Sequence, residues 1–168
     1  KWSPNSQRIA TFQQDQRKAG EMYLVNTAAG HPTLKTWKYP LPGDAEVAMM
    51  HRVVIDAETG AMVRFKMGPD FHRAMLGDDF SVRDMIWSPD GSKLAFVSTA
   101  RDHKKATVRV ADTATGEVRT VFEESEKTHF ESPAGWRILW ATNEIIWNSQ
   151  RDNWSHLYLY DINTGALK

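Results

Sequence analysis

Catalysis and metal binding need imidazoles, thiolates, carboxylates or activated hydroxyls at workable spacings, and this chain holds few such arrangements. Its six histidines stand at positions 31, 51, 72, 103, 129 and 156. No two share the i, i+4 spacing that aims a pair of imidazoles at one metal. Cysteine is absent, which removes thiolate ligands and disulfides but fixes no compartment. No Gly-x-Ser-x-Gly run occurs, so no serine is offered on a nucleophile elbow. Asn153-Trp154-Ser155 has the spacing of an N-glycosylation acceptor, but is read here as a turn. Neither a metal nor a cofactor is expected. Lys+Arg and Asp+Glu both number 21 in 168 residues, so nothing in the charge favours nucleic acid or an acidic membrane surface. No apolar run approaches the ~20 residues that span a bilayer.

What the residues do show is a repeat. Trp2-Ser3-Pro4-Asn5-Ser6 returns as Trp87-Ser88-Pro89-Asp90-Gly91, and a shortened copy runs from Trp140 to Trp147. A second element follows each copy: Asn26-x-x-Ala29-Gly30, Asp112-x-x-Thr115-Gly116 and Asp161-x-x-Thr164-Gly165, with a fourth example at Asp56-x-x-Thr59-Gly60. The first two Trp-Ser-Pro copies are 85 residues apart, about twice the ~40–45-residue period of a propeller blade. Both elements make turns. Proline suits position i+1 of a type I turn, and the glycine takes the left-handed conformation that follows. An Asp side chain can accept nearby backbone N–H groups.

Between the turns the residues alternate as strands do. Val82, Met85 and Trp87 precede the second turn, and Leu94-Ala95-Phe96-Val97, Thr107 to Ala111 and Glu117 to Phe122 follow it. The reading is all-β: a partial β-propeller of about three four-stranded antiparallel blades, at 2–66, 80–122 and 136–168. In the first blade the strands are expected at Arg8–Phe12, Glu21–Val25, His51–Ile55 and Ala61–Phe65, with an irregular stretch from His31 to Gly43. Long loops are expected at 13–20, 38–46, 67–79 and 123–135. The chain begins inside one repeat unit and stops where a strand should start, so it is expected to be a piece of a longer protein.

One segment is more specific. Ser149-Gln150-Arg151-Asp152-Asn153-Trp154-Ser155-His156-Leu157-Tyr158-Leu159-Tyr160-Asp161 resembles the signature Ser-Glu-Arg-Asp-Gly-Trp-x-His-Leu-Tyr-Leu-Tyr-Asp of bacterial dipeptidyl peptidase IV-type enzymes. Trp2 to Asn5 leading into Phe12-Gln13-Gln14-Asp15-Gln16, and Tyr39-Pro40-Leu41-Pro42-Gly43, are similar to other segments of that family in the same order. The resemblance implies the N-terminal propeller region of a serine peptidase of the prolyl oligopeptidase clan. There the propeller covers an α/β-hydrolase domain, limits access to small or unstructured peptides, and helps anchor the substrate's N-terminus. The hydrolase domain follows the propeller, and the family's amine-binding Glu-Glu pair precedes the Trp-Ser-Pro segment, so this chain is expected to be inactive alone.

The same resemblance ranks the site candidates. Trp136-Arg137 is similar to the aromatic–Arg pair near the second subsite, where a guanidinium bonds a peptide carbonyl and the ring forms an apolar wall. Against this stands a packing role for Trp136 with Arg137 exposed. Arg151, Asp152, Trp154 and His156 lie in the signature, and are read as structural: an ion pair and an Asp-centred turn that fix a hairpin. Glu123-Glu124 has the wrong context for the amine-binding pair and is read as a solvated loop. Trp2, Trp87, Trp140 and Trp147 recur at strand positions and are read as core.

The function expected is a non-catalytic propeller section of a dipeptidyl peptidase IV-like exopeptidase, with a peptide substrate and a hydrolase domain as partners of the parent, which is periplasmic or secreted by resemblance. Blade faces left uncovered should drive self-association. The competing readings are a TolB-like or WD40-like propeller that scaffolds a protein partner, and a structural unit without separable function.

Overall fold

Two kinds of local turn organise the chain, and in both a side chain bonds its own backbone. In the second Trp-Ser-Pro unit, Ser88 Oγ accepts from Lys93 N at 2.9 Å and donates to Asp90 Oδ1 at 2.6 Å. Ser3 repeats this with Arg8 N at 2.9 Å and Asn5 Oδ1 at 2.7 Å. In the other turn, Oδ1 of Asp56, Asp112 and Asp161 each accepts the threonine N–H three residues on at 2.8 Å. Gly60, Gly116 and Gly165 follow at φ of 73°, 75° and 73°, a region that a Cβ disfavours. The threonine backbone N–H is the main reason all three carboxyls titrate below the usual range.

The computed structural model describes residues 1–28, 30–71, 85–130 and 136–168. Ala29, His72 and Val82, with parts of the loops expected at 67–79 and 123–135, lie outside the described residues. Twelve strands form among them: β1 (Arg8–Asp15), β2 (Glu21–Asn26), β3 (Thr33–Lys38), β4 (Met49–Asp56), β5 (Met62–Arg64), β6 (Met85–Trp87), β7 (Lys93–Thr99), β8 (Lys105–Asp112), β9 (Val118–Ser125), β10 (Arg137–Leu139), β11 (Glu144–Ser149) and β12 (His156–Asp161). The second blade is the four-stranded antiparallel meander β6-β7-β8-β9. The first is β1-β4-β5 and the third β10-β11-β12, each extended by a single-residue bridge, Trp2↔Ile9 and Tyr160↔Leu167. The chain is therefore a partial β-propeller of three antiparallel blades.

The first blade departs from expectation. Glu21–Asn26 is not one of its strands, because β1 pairs directly with β4, Phe12 opposite Arg52. β2 instead pairs with β3 in a separate hairpin, Met22 opposite Trp37, so the stretch from His31 to Gly43 is not wholly irregular. Thr33, Leu34, Thr36 and Trp37 favour extended backbone, and the insertion keeps both hairpin faces outside the blade packing, with Tyr23, Leu24 and Leu34 exposed. β1 also runs on to Asp15, shortening the loop expected from residue 13.

Two apolar clusters lie between the blades. Leu94 and Phe96 of β7 meet Ala10, Val54 and Phe65 of the first blade. Ala95 and Val97 point the other way, to Trp136, Ile145, Trp147 and Tyr160 around the third. A strand packed on both faces has no polar side, and β7 is accordingly a continuous buried run from Leu94 to Thr99. Phe122 stacks on Tyr160 with ring centroids 3.9 Å apart and meets Trp147 edge-on at 5.3 Å.

Candidate functional site

A polar cluster joins the second blade to the third. β9 extends to Ser125, so Glu123 and Glu124 are strand residues and not the solvated loop expected. Alternation sends their side chains to opposite faces. Glu123 accepts from Thr107 Oγ1 at 2.9 Å and Lys105 Nζ at 3.2 Å, bonds that hold its carboxyl below the usual range. Glu124 turns toward the third blade and is 8% exposed. Its Oε1 accepts from Ser149 Oγ at 2.5 Å, and its Oε2 from Trp147 Nε1 at 2.8 Å and Arg151 Nη2 at 2.6 Å. With both oxygens engaged, the carboxylate acts as a clamp between blades.

Arg151 completes that clamp from the β11–β12 hairpin. Its Nη2 donates to Tyr160 Oη at 2.6 Å and its Nε to Ser149 Oγ at 2.9 Å. The guanidinium lies 4.2 Å from the Tyr158 ring centroid. Burial alone would lower its pKa, but the Tyr160 bond and the Glu124 charge outweigh that and leave it raised. The ion pair expected at the signature is thus with Glu124, 27 residues earlier in the chain. Asp152 instead accepts the Tyr158 hydroxyl, which pushes the Tyr158 pKa up. Trp154 is 76% exposed, and His156 is exposed at the start of β12.

The structure places the two halves of Trp136-Arg137 differently. Trp136 is buried in the cluster between the second and third blades. Arg137 is exposed and opposes Ile146, whereas Ile138 opposes the buried Ile145. Alternation therefore puts Arg137 on the face of β10 turned away from that cluster.

A second buried ion pair had no counterpart in the sequence reading. Arg52 Nε donates to Asp70 Oδ2 at 2.7 Å, and both side chains are almost wholly buried. The Arg52 guanidinium lies between the rings of Phe12 and Phe96, 4.9 Å and 4.3 Å from their centroids, and its Nη2 donates to Val97 O at 2.9 Å. The available signal was the period of two in β4, which puts Arg52 on the same face as Val54.

Stacked meanders joined through aromatic and ionic contacts define this as a run of β-propeller blades. The sequence profile of the family described as the dipeptidyl peptidase IV (DPP IV) N-terminal region matches residues 1–168, and the chain belongs to that family. Among solved structures, one described as a dipeptidyl aminopeptidase IV of Bacteroides ovatus superposes with a TM-score of 0.80 at 24% identity, covering 99% of this chain and 23% of that one. Dipeptidyl peptidase 4 of Porphyromonas gingivalis superposes with a TM-score of 0.74 at 15% identity, with the same coverage of 99% and 23%. The chain thus spans about a quarter of the length of each of these structures.

Proposed function

We propose that this chain is a non-catalytic section of the propeller of a dipeptidyl peptidase IV-like serine exopeptidase, a periplasmic or secreted parent that removes dipeptides from peptide N-termini. In this reading the propeller gates peptide access and helps hold the substrate, while an α/β-hydrolase domain supplies the nucleophile. The observation that carries it is the family match over residues 1–168. The interblade clamp supports it, because a gate needs blades held in fixed relation. The purified chain should release no chromophore from a proline-containing dipeptide substrate, and turnover that survives rigorous purification would sink the reading. In the longer parent, Arg137→Ala should lower kcat/KM by about 1–3 kcal/mol, the loss of one charged hydrogen bond, with folding unchanged. Unchanged kinetics with a lowered melting temperature would assign Arg137 a structural role instead.

We also infer that the isolated chain self-associates through its outer blade faces. A Cβ on Gly116 would lie 2.5 Å from Arg64 O of the first blade, and one on Gly165 would lie 2.0 Å from Val121 O of the second. In both turns the glycine seats the neighbouring blade's outer strand. Gly60 occupies the same turn with nothing within 4 Å, so the equivalent face of the first blade is open to a strand from another copy.

A further inference from the structure

The β2–β3 hairpin is an arm with a fixed base and uncovered faces. Lys38 Nζ donates to Ala19 O at 3.0 Å, Tyr39 N donates to Gly20 O at 2.9 Å, and Arg101 of the second blade donates to Asp44 O. Beyond that base, β2 and β3 pack chiefly on each other. Opposite residues share a face, so Tyr23, Val25 and Leu34 line one side, and Met22, Leu24 and Trp37 the other. Tyr23 and Leu34 are 60% and 62% exposed, and Leu24, Val25 and Trp37 are exposed as well. A lone two-stranded hairpin is marginal in water, and further strands with an apolar face are what stabilise one.

The backbone shows which edge is open to another strand. Gly20 and Tyr39 stand directly opposite and are hydrogen-bonded, so the bonded pairs of the ladder include Met22–Trp37 and Leu24–Lys35. Glu21, Tyr23 and Val25 therefore turn their N–H and C=O groups outward, where no strand pairs with them among the described residues. β3 carries Lys35 and Lys38, and lysines guard an exposed edge. β2 has no lysine and no proline, and its one charge, Glu21, sits at its first position, paired with Lys38 at 3.2 Å.

This edge is complementary to itself. An antiparallel pair related by a two-fold axis sets each residue against one of the same face. Centred on Leu24, the pairing places Leu24 against Leu24 and Tyr23 against Val25 of the second copy, with Glu21 and Lys38 outside the apolar rows. Centred on Tyr23, it would press Glu21 onto Val25. Charge thus selects the Leu24 register, in which no like charges are opposed. The exposed side chains offer roughly 400 Å² of apolar surface per arm. Two arms fall short of the ~1,200 Å² of a standard interface, so the pairing is weak.

We propose that two copies of this chain associate through their arms, β2 pairing antiparallel with β2 about Leu24 to form a four-stranded sheet. The surface is independent of the peptidase reading and of the outer blade faces.

The chain has no cysteine, so a single introduced one reports on one contact. Leu24 occupies a non-hydrogen-bonded pair in this register, with Cα atoms ~4.5 Å apart, inside the ~4.4–6.8 Å that a disulfide spans. The 168-residue Leu24→Cys protein, mildly oxidised at high micromolar concentration, should form a disulfide-linked dimer. Lys35→Cys should give at least about tenfold less, because those residues stand about 14 Å apart, three strand spacings across the sheet. Tyr23→Pro removes an outward N–H that β3 does not use. In the Leu24→Cys background it should leave the melting temperature unchanged and cut the dimer about tenfold. Equal yields from Leu24→Cys and Lys35→Cys would overturn the proposal, as would a Leu24→Cys dimer that Tyr23→Pro leaves intact. Association through the outer blade faces alone gives the first of those results, so the two modes are told apart.

Discussion

Removing the Glu124 carboxylate separates two pictures of residues 123–124 by a measurable margin. A solvated loop residue changes stability by no more than ~0.5 kcal/mol when replaced. In the structure Glu124 is 8% exposed and accepts from Trp147, Ser149 and Arg151. Truncation to alanine orphans the indole N–H of Trp147, itself fully buried, and unpairs Arg151. Losing a partner of a buried ion pair costs about 3–5 kcal/mol. Here the Arg151 side chain is 31% exposed, so water screens and partly replaces the pair, and the expectation falls to ~3 kcal/mol for Glu124→Ala. Glu124→Gln retains one acceptor for Trp147 and should cost ~1.5 kcal/mol, and Arg151→Met ~1 kcal/mol. At about 2–4 °C per kcal/mol for a chain of this size, the alanine variant should melt roughly 6–12 °C lower. Urea unfolding followed by tryptophan fluorescence reports each ΔΔG, and the Glu124→Gln/Arg151→Met double variant should recover ~1 kcal/mol of coupling. A Glu124→Ala cost below ~0.5 kcal/mol, or strict additivity in the cycle, refutes the clamp.

The three Asp-x-x-Thr-Gly turns make a second comparison. Gly60→Ala should cost only the left-handed penalty of ~1–2 kcal/mol, whereas Gly116→Ala and Gly165→Ala add the clash with the neighbouring strand and should reach ~2–5 kcal/mol; equal costs at all three would contradict the seating of blades. The turn carboxyls also set an acid limit. Asp90 is lowered to about 2, chiefly by its bond from Ser88, and Asp56, Asp112 and Asp161 are lowered as well. A folded-state pKa below the unfolded value stabilises the fold above the unfolded value of about 4, and that contribution disappears as pH falls toward about 2. The melting temperature should therefore drop across that window, and Asp90→Asn should make the drop shallower. An unchanged slope would deny Asp90 a share. Light scattering across a dilution series should show a mass above one chain at micromolar concentration, and a monodisperse monomer would disprove self-association through the open faces.

Local chemistry was legible in the sequence because its partners lie within a few residues. Ser88 reaches Lys93, and Asp56, Asp112 and Asp161 reach residues two and three positions on, so motif and turn coincide. The run Leu94 to Val97 announced a strand, and the family signature singled out Arg151. Tertiary structure decided what those elements meet. Nothing near Glu124 in sequence marks it as buried, because Trp147, Ser149 and Arg151 come to it from the next blade. β2 has the alternation of a blade strand, yet pairing with β3 removes it from the blade, since a strand's own pattern does not say which edge it joins. Gly60 and Gly165 occupy matching turns at the same φ, but only Gly165 has a neighbouring carbonyl against it. The sequence by itself determined the turns, most of the strands and the family, whose interactions close within a few residues or are written as contiguous motifs. Only the tertiary structure decided the clamp and the Arg52–Asp70 pair, because each depends on side chains that no contiguous motif links, 27 and 18 residues apart in the chain.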